Sequence, residues 1–252
     1  MLVDTHCHVH EPQFFSAPEA LSALERAKAA GVDKVLCIGT SEPHSREAVR
    51  FASEHDACYA VVGVHPHDSK DGIDDIGKIL SERHERVIGI GEIGLDYFYN
   101  HSPREVQIAA FERQLQWAHD YRLPVSFHVR EAFDDFWPII ANFGSIHGVL
   151  HSFTDSSENL EKGLSKGLYI GVNGISTFTK DERQRDMYRR IPLERMVLET
   201  DAPFLTPTPH RGKVNEPAFV RHVAEYHANQ RGVELEHLAR VTSANASTLF
   251  SI

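Results

Sequence analysis

Residues 87–95 have the sequence Val-Ile-Gly-Ile-Gly-Glu-Ile-Gly-Leu, in which Glu92 is the only charged residue. Near-continuous apolar runs of this length are typical of strands in a parallel sheet, because helices cover both faces of such a sheet. An unpaired carboxylate there is costly, and a bound cation would compensate for it. The segment therefore predicts a buried strand that holds an acid beside a positive charge.

Seven further segments show a strand pattern, and amphipathic segments alternate with them. The eight predicted strands are residues 2–8, 35–39, 59–64, 87–95, 125–129, 149–153, 168–173 and 196–200. Strict alternation predicts parallel strands joined by right-handed crossovers, and eight such units favour a (β/α)8 TIM barrel of class α/β. An open doubly wound sheet is the alternative, although no Gly-rich nucleotide-binding loop follows the first strand.

The predicted helices are residues 17–30, 43–55, 73–83, 103–121, 132–142, 157–166, 181–190, 216–231 and 235–249. The chain has 252 residues, 41% of them apolar, which suffices for one large core and is a usual length for a one-domain barrel. We therefore expect residues 1–252 to form a single domain.

The composition argues against several classes of protein. The sequence shows neither a secretory signal nor a membrane-spanning run, which predicts a cytoplasmic location and no membrane association. We also expect no obligate protein partner. Cys7, Cys37 and Cys58 lack paired spacing, so we expect core residues rather than disulfides or a cysteine zinc site. The net charge of −10 opposes non-specific binding to nucleic acid unless a local positive site intervenes.

Histidine is frequent, with 17 residues in the chain. Eight histidines fall in polar or helical contexts, where a solvated imidazole is the default: His44, His55, His84, His119, His147, His222, His227 and His237. The first strand, in contrast, ends in Asp4-Thr5-His6-Cys7-His8. Because strand side chains alternate between faces, His6 and His8 point the same way and form half of a possible metal site.

Metal-binding residue types also lie at or near the ends of other strands: His65 and His67, Glu92, His128, His151 and Asp201. Strand ends converge on one mouth of a barrel, where active sites lie. Four imidazoles and two carboxylates suit two divalent ions about 3.5 to 4 Å apart. We expect Glu92 to bridge them, with His6, His8 and Asp201 completing one ion and His128 and His151 the other.

Each of these residues has a structural alternative. Glu92 would also be compensated by an ion pair with Arg130, and Asp201 before Ala202-Pro203 would also suit a turn. His128 and His151, taken singly, fit hydrogen-bonded core histidines. It is the occurrence of all six residues at strand ends that favours the metal interpretation.

Several of the same stretches resemble the signatures of the TatD family of metal-dependent deoxyribonucleases, a branch of the amidohydrolase-like barrels. They are residues 4–8, 63–67, 89–97, 124–132, 150–153 and 198–203. The resemblance implies that His6, His8, Glu92, His128, His151 and Asp201 are metal ligands and that His65 lies near the substrate phosphate. It also implies removal of nucleotides from DNA 3′ ends, whereas some relatives are credited with deacylating D-aminoacyl-tRNA. Ser152 and Val214 depart from the pattern, the latter where a second basic residue is usual.

The resulting hypothesis is a 3′–5′ deoxyribonuclease that acts on single-stranded DNA ends, with a water between two metals as nucleophile. Asp201 and Glu92 are the predicted catalytic residues, and Asp201 accepts the proton. His65 and Arg130 would contact phosphate. Four basic residues would either extend a path for DNA or be solvated surface charges: Lys180, Arg183, Arg211 and Lys213. Three aromatic residues would either stack on bases or pack within the protein: Tyr97, Phe98 and Tyr99.

Two alternatives differ in function. A metal-dependent ester or amide hydrolase, such as a D-aminoacyl-tRNA deacylase, fits the acidic charge and Val214. A binding protein with a structural metal fits less well, because structural sites are closed, whereas this ligand set leaves positions for water. The two ions are expected to be Zn, Mn, Ni or Mg, since imidazole favours the softer metals and members of the resembling family are usually assayed with Mg.

Overall fold

A computed structural model describes residues 1–144 and 146–252. Eight parallel strands follow one another in the sheet in chain order. They are β1 (Leu2–Cys7), β2 (Val32–Ile38), β3 (Cys58–Val62), β4 (Val87–Asp96), β5 (Val125–Arg130), β6 (Gly148–Leu150), β7 (Tyr169–Val172) and β8 (Met196–Leu198). This order is that of the predicted (β/α)8 TIM barrel, and the doubly wound alternative is wrong.

The helices that connect the strands are α1 (Ala17–Ala29), α2 (Glu42–Glu54), α3 (Asp74–Ser81), α4 (Arg104–Tyr121), α5 (Phe133–Ala141), α6 (Ser157–Ser165), α7 (Ile175–Phe178) and α8 (Glu182–Arg190). Two further helices, α9 (Val220–Arg231) and α10 (Leu235–Phe250), follow β8. Short 3-10 helices span Pro66–Asp71, Leu193–Arg195 and Pro217–Phe219. The predicted helices do not include α7, which is only four residues long. The helix predicted from residue 216 corresponds to α9, which begins at Val220 after a 3-10 helix over Pro217–Phe219.

The chain divides into two compact units, described separately below. The first comprises residues 1–37 and 152–252, and the second comprises residues 38–151. The single domain over residues 1–252 stays a prediction. None of the helices in residues 1–144 and 146–252 is long and apolar enough to cross a membrane.

In the first unit, side-chain and backbone hydrogen bonds join the end of β1 to the end of β8. The Asp4 carboxylate accepts from the Thr200 hydroxyl at 2.6 Å and from the Thr200 amide at 2.9 Å. The amide of Asp201 donates to the carbonyl of His6 at 2.8 Å, and that of His8 to Ala202 at 2.8 Å. These bonds fix Asp201 beside the two histidines of β1.

In the second unit, β4 and β5 lie unusually close together beyond Glu92. Gly94 pairs with His128, and Asp96 pairs with Arg130. Gly94 has φ +147°, and a Cβ added there would lie 1.9 Å from the carbonyl oxygen of His128. Only glycine tolerates both the backbone conformation and this approach, so the glycine brings His128 against the strand that carries Glu92.

Cys7, Cys37 and Cys58 are fully buried and form no disulfide within the described part of the chain, which confirms their prediction as core residues. The prediction for His227 is wrong, because this histidine is only 2% exposed. It continues the apolar face of α9 formed by Val220, Val223 and Ala224, a spacing of i, i+3, i+4 and i+7 that marks a buried helix face. Its Nε2 lies 2.9 Å from the hydroxyl of Ser176.

The burial of His227 predicts a loss of stability in acid. Burial, with a smaller contribution from Arg231, lowers the pKa of His227 to about 3, whereas the unfolded chain titrates near 6.5. As the pH falls below 6.5, the unfolded state therefore takes up a proton that the folded state does not. Between pH 7 and 5 this group removes about 2 kcal/mol of the free energy of unfolding.

Urea denaturation of the wild type and of His227→Gln, in chelator at pH 7 and pH 5, measures this contribution. We expect the variant to lose about 2 kcal/mol less than the wild type over that interval. His119→Gln, at a side chain 61% exposed on α4, serves as the control and should follow the wild type. Equal losses in all three proteins would contradict the assignment.

Candidate metal centre

The predicted ligands lie within strands or up to three residues beyond them, in two sets that belong to different units. His6 lies in β1, and His8 lies one residue beyond it; Asp201 lies three residues beyond β8. Glu92 and His128 lie in β4 and β5, and His151 directly follows β6. Each set is described by itself.

In the first unit, Asp201 lies beside both histidines. Its Oδ1 is 3.4 Å from His8 Nε2 and 3.8 Å from His6 Nε2. The two imidazole rings are 5.2 Å apart between centroids and nearly perpendicular. Two nitrogens and one carboxylate oxygen that face a common point form the donor set of a divalent cation. The three residues predicted to share one ion are therefore neighbours.

A buried acid lies behind His8. Glu11 is 2% exposed, and its Oε1 is 3.4 Å from His8 Nδ1. Burial opposes the charged form of His8, but hydrogen bonds to Asp201 and Glu11 outweigh it and raise the pKa of His8 well above its usual value. Carboxylates behind ligand histidines orient the ring and increase its basicity. Glu11 thus leaves Nε2 of His8 as the nitrogen that faces Asp201 and could bind a cation.

In the second unit, Glu92 is surrounded by three histidines. Its Oε1 is 2.7 Å from His128 Nδ1 and 3.7 Å from each of His65 Nε2 and His151 Nε2. One ligand atom each from His65, Glu92 and His128 falls within a span of 4.8 Å. Glu92 is 4% exposed, so its compensation comes from these imidazoles or from a cation that they bind.

Asp96 lies on the far side of His128 and is fully buried. Its Oδ2 is 3.0 Å from His128 Nε2 and 3.0 Å from His67 Nε2. Burial opposes ionisation of Asp96, but the hydrogen bonds from His128 and His67 outweigh it and lower the pKa of the carboxyl. An ionised carboxylate only accepts hydrogen bonds, so both imidazoles donate through Nε2.

The remaining nitrogen of His128 faces Glu92. With the Nε2 proton committed to Asp96, Nδ1 of the neutral ring offers a lone pair toward a carboxylate oxygen 2.7 Å away. Two acceptors at that distance need a proton or a cation. Without a cation, hydrogen bonds to Asp96 and Glu92 overcome burial and raise the pKa of His128 to about 9. The Nδ1 atom and the Glu92 carboxylate therefore fit a divalent ion.

His65 differs from the other histidines around Glu92. Its Nδ1 accepts a hydrogen bond from the His67 amide at 3.1 Å, which places the proton of the neutral ring on Nε2. Burial, followed by the nearby His128, lowers the pKa of His65 well below its usual value. His65 is therefore a neutral hydrogen-bond donor, which suits a substrate oxygen better than a cation.

The predicted substrate residues have different environments. Arg130 is exposed and lies over the rings of Phe98 and Tyr99. Tyr97 is buried and donates a hydrogen bond from its hydroxyl to Asp135 at 2.7 Å, so it is not available for stacking. Arg211 lies 3.7 Å over the ring of Phe178. The roles predicted for Lys180, Arg183, Arg211 and Lys213 in a DNA path stay predictions.

The TatD related DNase model matches residues 3–251. The chain belongs to the TatD related DNase family. This membership confirms the resemblance drawn from the strand-end motifs, and the match covers all but three residues of the chain.

Relatives and solved structures agree. The chain is 36% identical to the metal-dependent hydrolase YabD of Bacillus subtilis, with 100% of both chains covered. It is 39% identical to the 3′-5′ ssDNA/RNA exonuclease TatD of Klebsiella pneumoniae, with 91% of this chain and 90% of that one covered. The crystal structure of the Escherichia coli TatD homologue YjjV superimposes with a TM-score of 0.92 at 29% identity, covering 100% and 98% of the two chains.

His67 was noted at a strand end without a role, whereas Glu11 and Asp96 were not predicted from the sequence. Asp96 had a usable signal: it is four residues beyond Glu92 in the same strand, so alternation places both acids on one face. Glu11 had none, because its place behind His8 depends on the turn after β1. In both units, a ligand histidine is therefore held by an acid that the ligand pattern does not reveal.

Replacing Asp96 with Asn should weaken metal binding without removing a ligand. Asp96 accepts hydrogen bonds at both oxygens, from the two imidazoles at Oδ2 and from the backbone amides of Phe98 and Tyr99 at Oδ1. Asn has one acceptor oxygen, so its NH2 group faces donors on one of the two sides and His128 is no longer held as in the wild type. Loss of such partners typically lowers metal affinity about 10- to 100-fold. Calorimetric titration of the metal-freed protein with Zn²⁺ and Mn²⁺ measures the change.

Asp120→Asn, at an exposed site on α4, is the control and should bind like the wild type. Circular dichroism checks that Asp96→Asn remains folded. Unchanged affinity in a folded Asp96→Asn variant would show that Asp96 does not position His128 for a cation.

Proposed function

We propose that the chain is a metal-dependent nuclease that removes nucleotides from the 3′ ends of single-stranded DNA. The observation that carries this proposal is the pair of histidine–carboxylate sets, each backed by a buried acid, in a chain of the TatD family. The exonuclease name of the Klebsiella pneumoniae relative supports the same activity.

The proposed centre holds two divalent ions on the six residues predicted from sequence: His6, His8, Glu92, His128, His151 and Asp201. Glu92 would be shared between the ions. Donor chemistry supports Zn, Mn or Ni over Mg, since four of the six ligands are imidazoles. When bound, the ions supply positive charge for phosphate oxygens and a nucleophile at neutral pH.

The chain's own residues supply the rest. The Asp201 side chain keeps 15% of its surface exposed, so its carboxylate can accept a proton from an attacking water. His65 donates a neutral hydrogen bond to a phosphate oxygen, and Arg130 supplies the charge. Both contacts are local, which suits a chain whose net charge of −10 opposes long-range attraction of DNA.

Ester hydrolysis of an aminoacyl-tRNA is the second candidate. It is favoured by Val214, which is 64% exposed where a basic residue is usual in the resembling loop. The missing charge would weaken contact with a long polyanion. The two candidates share the metal centre and differ in the bond that is cleaved.

Release of nucleotides from 5′-labelled single-stranded oligonucleotides, with Mn²⁺ and after chelation, tests the proposal. We expect stepwise shortening from the 3′ end by the wild type and no reaction in chelator. Asp201→Asn should lower kcat/KM about 100-fold or more, since a group that holds and deprotonates the nucleophile is worth several kcal/mol. Glu236→Gln, on the surface of α10, is the control and should match the wild type.

D-aminoacyl-tRNA is offered in parallel under the same conditions. Cleavage of the aminoacyl ester without oligonucleotide shortening would replace the nuclease by the second candidate. Oligonucleotide shortening that survives chelation, or that is equal in Asp201→Asn, would refute the proposed centre.

A further inference from the structure

Two exposed aromatic rings follow β4 in the second unit. Phe98 is 50% exposed and Tyr99 is 49% exposed, and their centroids are 4.7 Å apart. The guanidinium of Arg130 lies 4.1 Å from the ring centre of Phe98 and 4.7 Å from that of Tyr99. Phe98, Tyr99 and Arg130 are called the aromatic platform below. Contiguous exposed apolar surface marks binding sites more often than singly exposed apolar residues do.

Arg130 has no carboxylate within ion-pair distance among residues 1–144 and 146–252, although the chain has 36 acids and only 26 basic residues. The Glu92–Arg130 ion pair considered from the sequence is therefore absent from these residues. A guanidinium has five N–H donors in a planar fork that matches phosphate. The platform thus combines apolar faces with an available positive charge.

The platform is held in a fixed position relative to His128. Asp96 Oδ1 accepts hydrogen bonds from the backbone amides of Phe98 and Tyr99, each at 3.0 Å, while Oδ2 of the same residue holds His128. The Tyr99 ring also contacts His67 at 5.5 Å between centroids, and His67 contacts His65 at 4.3 Å. A ligand bound to the platform is therefore separated from the histidines around Glu92 by the side chain of His67.

We propose that the aromatic platform binds an unpaired nucleobase, with Arg130 on an adjoining phosphate; the proposal rests on the nuclease function above. A base offers a flat π face to Phe98 or Tyr99, and its phosphate offers the anion that Arg130 lacks. A purely apolar partner would bury the guanidinium without a counter-charge. A paired base has its faces covered by its neighbours in the duplex, so the platform selects single strands.

Stacking accepts every base, because each has a π face. The platform therefore predicts a preference for unpaired ends without a preference for base identity. Loss of one stacked base costs about 1 to 3 kcal/mol, which corresponds to about 5- to 150-fold in affinity.

Binding, rather than turnover, tests the platform. The probe is a phosphorothioate oligonucleotide with 2-aminopurine at its 3′ end, in Mn²⁺, since phosphorothioates resist hydrolysis and 2-aminopurine loses fluorescence when it stacks. The wild type should quench the probe on binding. Phe98→Leu/Tyr99→Leu, which keeps apolar side chains without rings, should raise Kd at least about 5-fold and abolish quenching. Phe98→Trp/Tyr99→Phe should restore both.

Tyr121→Leu is the matched control. The guanidinium of Arg83 lies 5.5 Å from the ring centre of Tyr121, so these residues form another arginine–aromatic pair of the second unit. Tyr121 precedes β5, however, and therefore lies near the opposite ends of the strands from the platform. This variant should quench like the wild type. An oligonucleotide with an abasic 3′ terminus has no base to stack, so it should bind the wild type at least about 5-fold more weakly than the intact oligonucleotide does. The wild type and the double leucine variant should have similar Kd values for this abasic oligonucleotide.

Equal quenching by the wild type and the double leucine variant, or no quenching by the wild type, would overturn the platform. This test is independent of the test of the nuclease function, because it measures binding and not hydrolysis. If the wild type quenches the probe, the double leucine variant does not, and the wild type cleaves no oligonucleotide, the platform is supported and the nuclease function is refuted.

Discussion

The need to compensate a carboxylate inside a parallel strand is the constraint on which the rest of the site depends. Glu92 is nearly inaccessible to solvent, and imidazole nitrogens of His128, His65 and His151 lie 2.7, 3.7 and 3.7 Å from its carboxylate. Imidazoles compensate it either as protonated rings or through a cation that they bind together. Because burial penalises a lone charge by several kcal/mol, the strand holds its acid only where other strand ends supply these partners.

Buried acids also lie behind two of the histidines. His8 is backed by Glu11 in the first unit, and His128 is backed by Asp96 in the second. Each acid fixes which ring nitrogen carries the proton, so His8 presents Nε2 and His128 presents Nδ1. Asp96 also holds the amides of the aromatic platform. One buried carboxylate thus links metal binding to the surface proposed for the substrate.

Much of this was predictable from sequence, because strand periodicity and strand order are local properties. The eight strands and the grouping of His6 and His8 with Asp201 followed from alternation and from the adjacency of the first and last strands. What stayed hidden depends on register and on turns: Asp96 acts through its position beside β5, and Glu11 through the path of the chain after β1. His227 was predicted wrongly because its polar neighbours outweighed its i, i+3, i+4 and i+7 spacing from buried residues.

The central proposal is that Glu92 is a metal ligand. Metal content per chain, measured by mass spectrometry after equilibration with Mn²⁺ and gel filtration, tests it most directly, with Glu92→Gln compared with the wild type. The account predicts two ions per chain in the wild type and a fall to one or none in the variant. Two ions retained by a folded Glu92→Gln variant, or none bound by the wild type, would contradict it.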